Sequence, residues 1–274
     1  MKIKRFFSIL LALCLMVGMA VAAGVSAQAA DEITIYISFE GYNLGQGFYV
    51  KPTKLSLPAG SNTDDAASAL FALKGIQAQH DTQWGYLTAV KGFDTGVINI
   101  PSYITQQPGF EQHSTTNNDD WLGEADYTSQ SGWMYTLNHA SGNGAAYDFL
   151  SDGDVIRWQF SVWGWGNDLG VEDDWGYAEP FYDHADKTSL VQALFIKGAA
   201  QTAKQAALDV IINPLSTAAE VAAAELALIE SAKTLLEKWA DKLPDWLSWV
   251  VSLPDWAQWI IMLAGFGWIW WIFG

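Results

Sequence analysis

The sequence predicts an α+β protein: a small, mainly-β unit over residues 31–183, an α-helical hairpin over residues 186–241, and an apolar helix within residues 243–274. Three observations carry this. Apolar residues alternate with period two at residues 32–39, 132–138 and 154–162, as strands with one buried face require. At Asp186 the composition turns alanine-rich with helical spacing. From Trp256 to Phe273 no side chain is charged.

A leader precedes the β unit. Met1-Lys2-Ile3-Lys4-Arg5 is basic, the run from Phe6 to Ala23 is uncharged, and Ala27-Gln28-Ala29 fits the small-x-small pattern cut by signal peptidase. Residues 1–29 are thus expected to be a signal peptide, cleaved after Ala29 or Ala30; a retained anchor is the rival reading. Cys14, the only cysteine, falls inside the leader, so the mature chain would form no disulfide and no thiolate metal site. Leu11-Ala12-Leu13-Cys14 has Leu where a lipobox needs a small residue. Without Lys2, Lys4 and Arg5, the 14 basic against 30 acidic residues become 11 against 30, a net charge of −19. Such a chain repels phosphate backbones, and Arg157 is the one arginine left, so nucleic acid is excluded as a partner. The acidity suits solubility outside the cell.

In the β unit, Ile33, Ile35, Ile37 and Phe39 share one face of the first strand. Phe48-Tyr49-Val50 resumes an extended pattern before Lys51-Pro52, and Lys54 to Leu57 reads as a separate short strand closed by Pro58-Ala59-Gly60. Asn62 or Thr63 caps a helix with Asp64 and Asp65 in its first turn, ending at Gly75. Tyr86 to Phe93 is a further strand, Val97 to Ile104 an extended segment interrupted by Pro101, and Gln106 to Asp120 a polar loop. Trp133, Tyr135 and Leu137 then share a strand face, as do Ile156, Trp158, Phe160 and Val162 opposite Arg157, Gln159 and Ser161.

One helix is expected from Thr188 to Ile212, stopping at Asn213-Pro214. A second starts at a Thr217-Ala218-Ala219-Glu220 capping box and runs to about Ala240, forming an antiparallel hairpin that serves as a stalk or packing module. Leu243-Pro244-Asp245-Trp246 recurs as Leu253-Pro254-Asp255-Trp256, two helix starts. Eighteen residues of the charge-free run would reach ~27 Å, enough for a thin hydrocarbon core. Three readings of this tail stand side by side: a membrane span, an interfacial helix seated by Trp256, Trp259, Trp268, Trp270 and Trp271, or docking on protein. Neither Leu-Pro-Asp-Trp offers the Thr-Gly of a sortase signal.

Candidate ligand contacts are aromatic. Trp163-Gly164-Trp165-Gly166 continues towards Trp175-Gly176-Tyr177, and rings beside glycines make flat platforms for sugars, corrin rings or peptides; packing on the sheet edge is the alternative. Trp133, Tyr135 and Trp158 are read either as core or as ligand contacts. Asp168, Glu172, Asp173 and Asp174 lack EF-hand spacing, and no His-Glu-x-x-His pair, Gly-x-Ser-x-Gly elbow, Walker loop or dinucleotide glycine fingerprint occurs. No metal site, no cofactor and no enzyme activity is expected.

Ser131-Gly132-Trp133-Met134-Tyr135-Thr136-Leu137-Asn138, followed by Ser151-Asp152-Gly153-Asp154-Val155-Ile156-Arg157-Trp158, resembles the signature of the transcobalamin-like C-terminal domain family. Gly45-Gln46-Gly47-Phe48-Tyr49-Val50 and Trp121-Leu122-Gly123-Glu124-Ala125-Asp126-Tyr127 are similar to its bacterial surface-protein branch. Over residues 33–183 the resemblance implies a β-grasp-like domain that binds a soluble ligand, with cobalamin as first guess. This chain has no counterpart of the helical barrel that completes the vitamin site in the transcobalamins. The expectation is a secreted, surface-anchored, non-catalytic binding protein with its tail at the membrane. The alternative is a cell-envelope adhesion or interaction protein that recognises protein or glycan.

Overall fold

The computed structural model describes residues 31–81, 83, 85–113, 120–170, 179–234, 237–238, 252 and 254. The expected signal peptide, the aromatic residues Trp175 and Tyr177, and Trp256, Trp259, Trp268, Trp270 and Trp271 of the tail lie outside the described residues. Among those described, no helix is long and apolar enough to cross a membrane.

The protein is mixed α+β. Its strands are β1 (Glu32–Glu40), β2 (Phe48–Pro58), β3 (Ala78–His80), β4 (Leu87–Lys91), β5 (Trp121–Gly123), β6 (Gly132–Leu137), β7 (Ala140–Ser141) and β8 (Val155–Ser161). The helices are α1 (Thr63–Lys74), α2 (Ser102–Thr105), α3 (Thr188–Ala193), α4 (Gln201–Ile212) and α5 (Ala218–Ala232). A five-stranded sheet runs β2-β1-β8-β6-β7, with β1 and β8 parallel and the other pairs antiparallel; β3-β4-β5 form a second, antiparallel sheet.

The main core lies on one face of the large sheet. Ile35, Ile37 and Phe39 of β1, Trp158 and Phe160 of β8, and Trp133 of β6 are buried there against Ala66, Leu70 and Phe71 of α1 and Leu87, Val90 and Leu122 of the small sheet. Phe39 is its hub: its ring lies 4.7 Å from Phe71, 5.6 Å from Trp133 and stacked 5.9 Å from Trp158. Helix α1 starts where expected. Asn62 accepts from the Asp65 amide and Asp65 accepts from the Asn62 amide, while Gly75 ends the helix at φ 68°.

Several local expectations are corrected. β2 is one strand, not two pieces, because Lys51-Pro52 falls in a bulge between the Ile37–Thr53 and Phe39–Val50 pairs of an edge strand, where the missing proline N–H breaks no ladder bond. The segment from Val97 to Ile104 contains α2 after Pro101 rather than only extended chain. The single helix expected from Thr188 to Ile212 is two: Gly198, at φ 89°, turns the chain between α3 and α4. The second helix ends at Ala232, short of Ala240, and a new capping box joins Thr234 to Glu237. The hairpin itself is present between α4 and α5. The Ala200 amide donates to Ser231 Oγ at 3.0 Å, joining the start of one helix to the end of the other.

The outer face of the sheet is not solvent-facing. Ser38, Glu40, Arg157, Gln159 and Ser161 are all buried: Arg157 reaches the helical segment, Gln159 bonds to Tyr42 and Ser161 to Asp168, while Leu190, Val191 and Ile211 pack in a second cluster with Val155 and Tyr36. Arg157 holds Glu40 through both guanidinium edges, Nε to Oε1 at 2.9 Å and Nη2 to Oε2 at 2.6 Å. Nη2 also donates to the Ile211 carbonyl at 3.2 Å, and Lys187 Nζ donates to Ile211 and Asn213 carbonyls at 3.0 and 2.5 Å. Two basic side chains thus meet the C-terminal end of α4, where the helix dipole favours positive charge. Burial, helped by Arg157, lowers His184 to about 2, so its neutral Nε2 accepts from Arg157 Nη1 at 3.3 Å.

Arg157→Ala leaves Glu40 buried without its partner and is expected to cost roughly 3–5 kcal/mol by urea unfolding, whereas the apolar pair Glu40→Leu/Arg157→Met regains most of that loss. Equal losses in the two variants would contradict this account. Burial lowers Lys187 to about 7, below its ordinary 10.5. The folded chain then holds fewer protons than the unfolded chain between those values, and stability rises with pH across that interval. From pH 7 to 9 the rise attributable to Lys187 is up to about 2 kcal/mol. It should vanish in Lys187→Met, measured by thermal unfolding at each pH.

Candidate functional site

β6 lies near the end of the large sheet and is only partly covered by β7, which pairs with Thr136 and Leu137 alone. Past β7, residues 142–145 and 147 line one part of a cleft beside β6, and Trp165, Gly166 and Leu169 another. Its volume is about 300 Å³. That is at the lower end of small-molecule sites.

Four of the aromatic residues singled out by sequence meet in this cleft: Trp133, Tyr135, Trp158 and Trp165. Trp133 and Trp158 are each 1% exposed and belong to both the core and the cleft lining. The Trp133 indole is satisfied by the Leu122 carbonyl at 2.9 Å. The buried Nε1–H of Trp158 has no hydrogen-bond partner among the described residues, which is rare for a native indole. Trp165, by contrast, is 53% exposed. Trp163 is not in the cleft; it packs edge-on against Phe110 at 5.5 Å.

Trp165 is held in an unfavourable backbone state. It has φ 54° between Gly164 at 83° and Gly166 at 103°, three successive residues in left-handed conformations that suit the glycines and strain the tryptophan. Asp168 anchors this loop: its carboxylate accepts from Ser161 Oγ at 2.7 Å and from the Val162 and Trp163 amides at 2.6 and 3.1 Å. Desolvation by burial raises Asp168 to about 6 despite those donors.

The other side is tied by Asp148. Its Oδ2 accepts from Tyr135 Oη at 2.5 Å and from the Asn143 amide at 2.9 Å, while the Gly144 amide donates to Tyr135 Oη at 3.1 Å. Burial, then the Asp148 contact, pushes the Tyr135 phenol above its ordinary range. Gly142 is required here: a Cβ would sit 2.1 Å from the Tyr135 ring. The Thr63 and Asp64 amides donate to the Asp148 and Ala145 carbonyls, both at 3.1 Å, so the start of α1 backs the loop.

Sequence reasoning missed Tyr147 and Tyr86, which also line the cleft; Tyr147 is 54% exposed at the rim. Ser141-Gly142-Asn143-Gly144 was the available signal, a glycine-rich run directly after a strand. Burial and the charge of Glu124 raise Tyr86 to about 12. Among the described residues, no three His, Cys, Asp or Glu side chains gather as a metal site would need. No family model matches this chain, and no curated protein matches it.

Because its ring is half exposed and its backbone strained, Trp165→Gly is expected to leave stability unchanged or raise it by up to about 1 kcal/mol. A loss larger than that in chemical unfolding would show that the ring carries packing energy.

Proposed function

We propose that this protein is a secreted, surface-held, non-catalytic binding protein whose β-rich unit captures a small soluble ligand in the aromatic cleft. The observation that carries the reading is Trp165: a large apolar ring kept exposed, on a strained backbone, beside a cleft already floored by aromatic rings. Strain of this kind is retained at sites where the presented group has a use. Rings on several sides suit a ligand with a flat apolar face, and the unpartnered Trp158 donor suits one that also carries an acceptor.

The β-grasp-like reading of the fold belongs to this proposal. Its support is the strand order: a β1–β2 hairpin, helix α1, then β6 and β8 with β8 returning beside β1 in parallel. Cobalamin is the first ligand to test because of the resemblance noted above. A cleft of about 300 Å³ accommodates an edge of a corrinoid rather than the whole, so the proposed contact is one-sided. Export rests on the leader within residues 1–29, and membrane attachment on the charge-free run containing Trp256, Trp259, Trp268, Trp270 and Trp271.

Isothermal titration of the full chain with cobalamins is expected to give binding that Trp165→Ala weakens by about tenfold, equal to ~1.4 kcal/mol. An affinity unchanged in Trp165→Ala would remove the cleft from the reading. No binding heat would leave recognition of an envelope protein or glycan as the surviving alternative.

A further inference from the structure

We propose that the uncovered edge of β6 within the aromatic cleft is a β-augmentation site for a cationic polypeptide segment in extended conformation. The proposal rests on the reading of the cleft as a binding site and specifies its ligand class.

The direction of the β6 amides follows from its hairpin. Asn138 and His139, with φ 49° and 73°, form a two-residue turn that closes on the Leu137–Ala140 pair, and the Gly142 amide donates to the Tyr135 carbonyl at 3.1 Å. Backbone groups alternate sides along an antiparallel strand, so Trp133, Tyr135 and Leu137 point theirs towards β7, and Gly132, Met134 and Thr136 towards β8. β7 ends at Ser141, and Gly142 makes the last backbone bond to β6 on this side among the described residues. The N–H and C=O of Trp133 and the N–H of Tyr135 face past that end, where no strand pairs with them among the described residues. The cleft lies along this edge. Trp133, Met134 and Tyr135 all line it, and three consecutive strand residues, whose side chains alternate faces, border one cavity only along the strand's rim.

The two edges of the large sheet are treated differently. β2, at the far edge, carries Lys51, Pro52, Lys54 and Pro58, the residues that discourage strand pairing. β6 carries no proline and no charge from Gly132 to Leu137. An extended peptide laid along β6 would exchange main-chain hydrogen bonds with Trp133 and Tyr135 and set alternate side chains towards the rings of the cleft. Its sign of charge is set by the surroundings. Asp148 sits on Tyr135 Oη, Asp64 lies beside Gly85 of the cleft wall, and Glu124 acts on Tyr86. No lining residue is cationic, and Arg157 is committed to Glu40 on the other face of the sheet.

The test uses the full chain and a short peptide of alternating valine and threonine with lysine at each end, alongside the same peptide N-methylated at alternate amides. Hydrogen exchange at the Trp133 and Tyr135 amides should slow by at least about tenfold with the first peptide. N-methylation should weaken binding by about tenfold or more, and added salt should weaken it further. Absence of slowing at these two amides overturns the proposal, as does equal binding of the methylated peptide or protection that appears on β2 instead. The cobalamin titration separates the two failures: cobalamin binding that depends on Trp165 without peptide binding refutes the strand partner alone, and failure of both refutes the cleft as a site.

Discussion

Glu40 and Arg157 meet out of contact with solvent where β1 and β8 run side by side, and three parts of the molecule share that meeting. Isolating two charges from water costs several kcal/mol each, so such a pair persists only when geometry and further hydrogen bonds offset the desolvation. Here the guanidinium fork grips both carboxylate oxygens, Ser38 donates to Oε1 at 2.7 Å, and Gln159 donates to Tyr42 Oη at 3.1 Å beside it. Arg157 stands opposite Ser38 in the parallel register, so a slipped register would strand both charges. The same guanidinium reaches the end of α4, which makes the helical segment a lid on the sheet rather than a free stalk. Sheet register, buried polar layer and helix placement are therefore one coupled arrangement.

The strands with seven or more residues of clear alternation, β1 and β8, and the strongly patterned β6 were legible in the sequence, as were the capped start of α1 and the capping box that starts α5. β3, β5 and β7 were not. They have two or three residues each, too few for a period to register, and exist because neighbours supply partners. The burial of Arg157, Gln159 and Ser161 was equally hidden: polar residues alternating with apolar ones read as a wet face, and it takes Tyr42, Asp168 and the later helical segment together to bury them. The break at Gly198 was masked by the helical periodicity on both sides of it, although a glycine near the middle of an alanine-rich stretch was the available sign.

The candidate site was half readable. An aromatic ring between two glycines announces exposure, and Trp165 has it. Trp133, Tyr135 and Trp158 follow the same alternation whether they fill a core or border a cleft, and here they do both, so no pattern could have separated the readings. Trp163, two residues from Trp165, packs inward because Asp168 collects the Val162 and Trp163 amides and fixes the chain before the glycines begin. Two buried or half-buried carboxylates, Asp148 and Asp168, thus tie down the loops on two sides of the cleft and hold Tyr135 and the segment that carries Trp165 in place.

The parallel pairing of β1 with β8 aligns residues 119 positions apart, such as Glu40 and Gln159, and brings Glu40 to Arg157, 117 positions away. Until the distal strand emerges from the ribosome, β1 has only its hairpin neighbour, and neither the central pair nor the covered polar layer can form. Chains whose key contacts are that distant condense slowly, because loop closure must precede the reward. For the exported chain proposed above, such a delay would be an advantage: this topology keeps a nascent chain pliable for most of its synthesis.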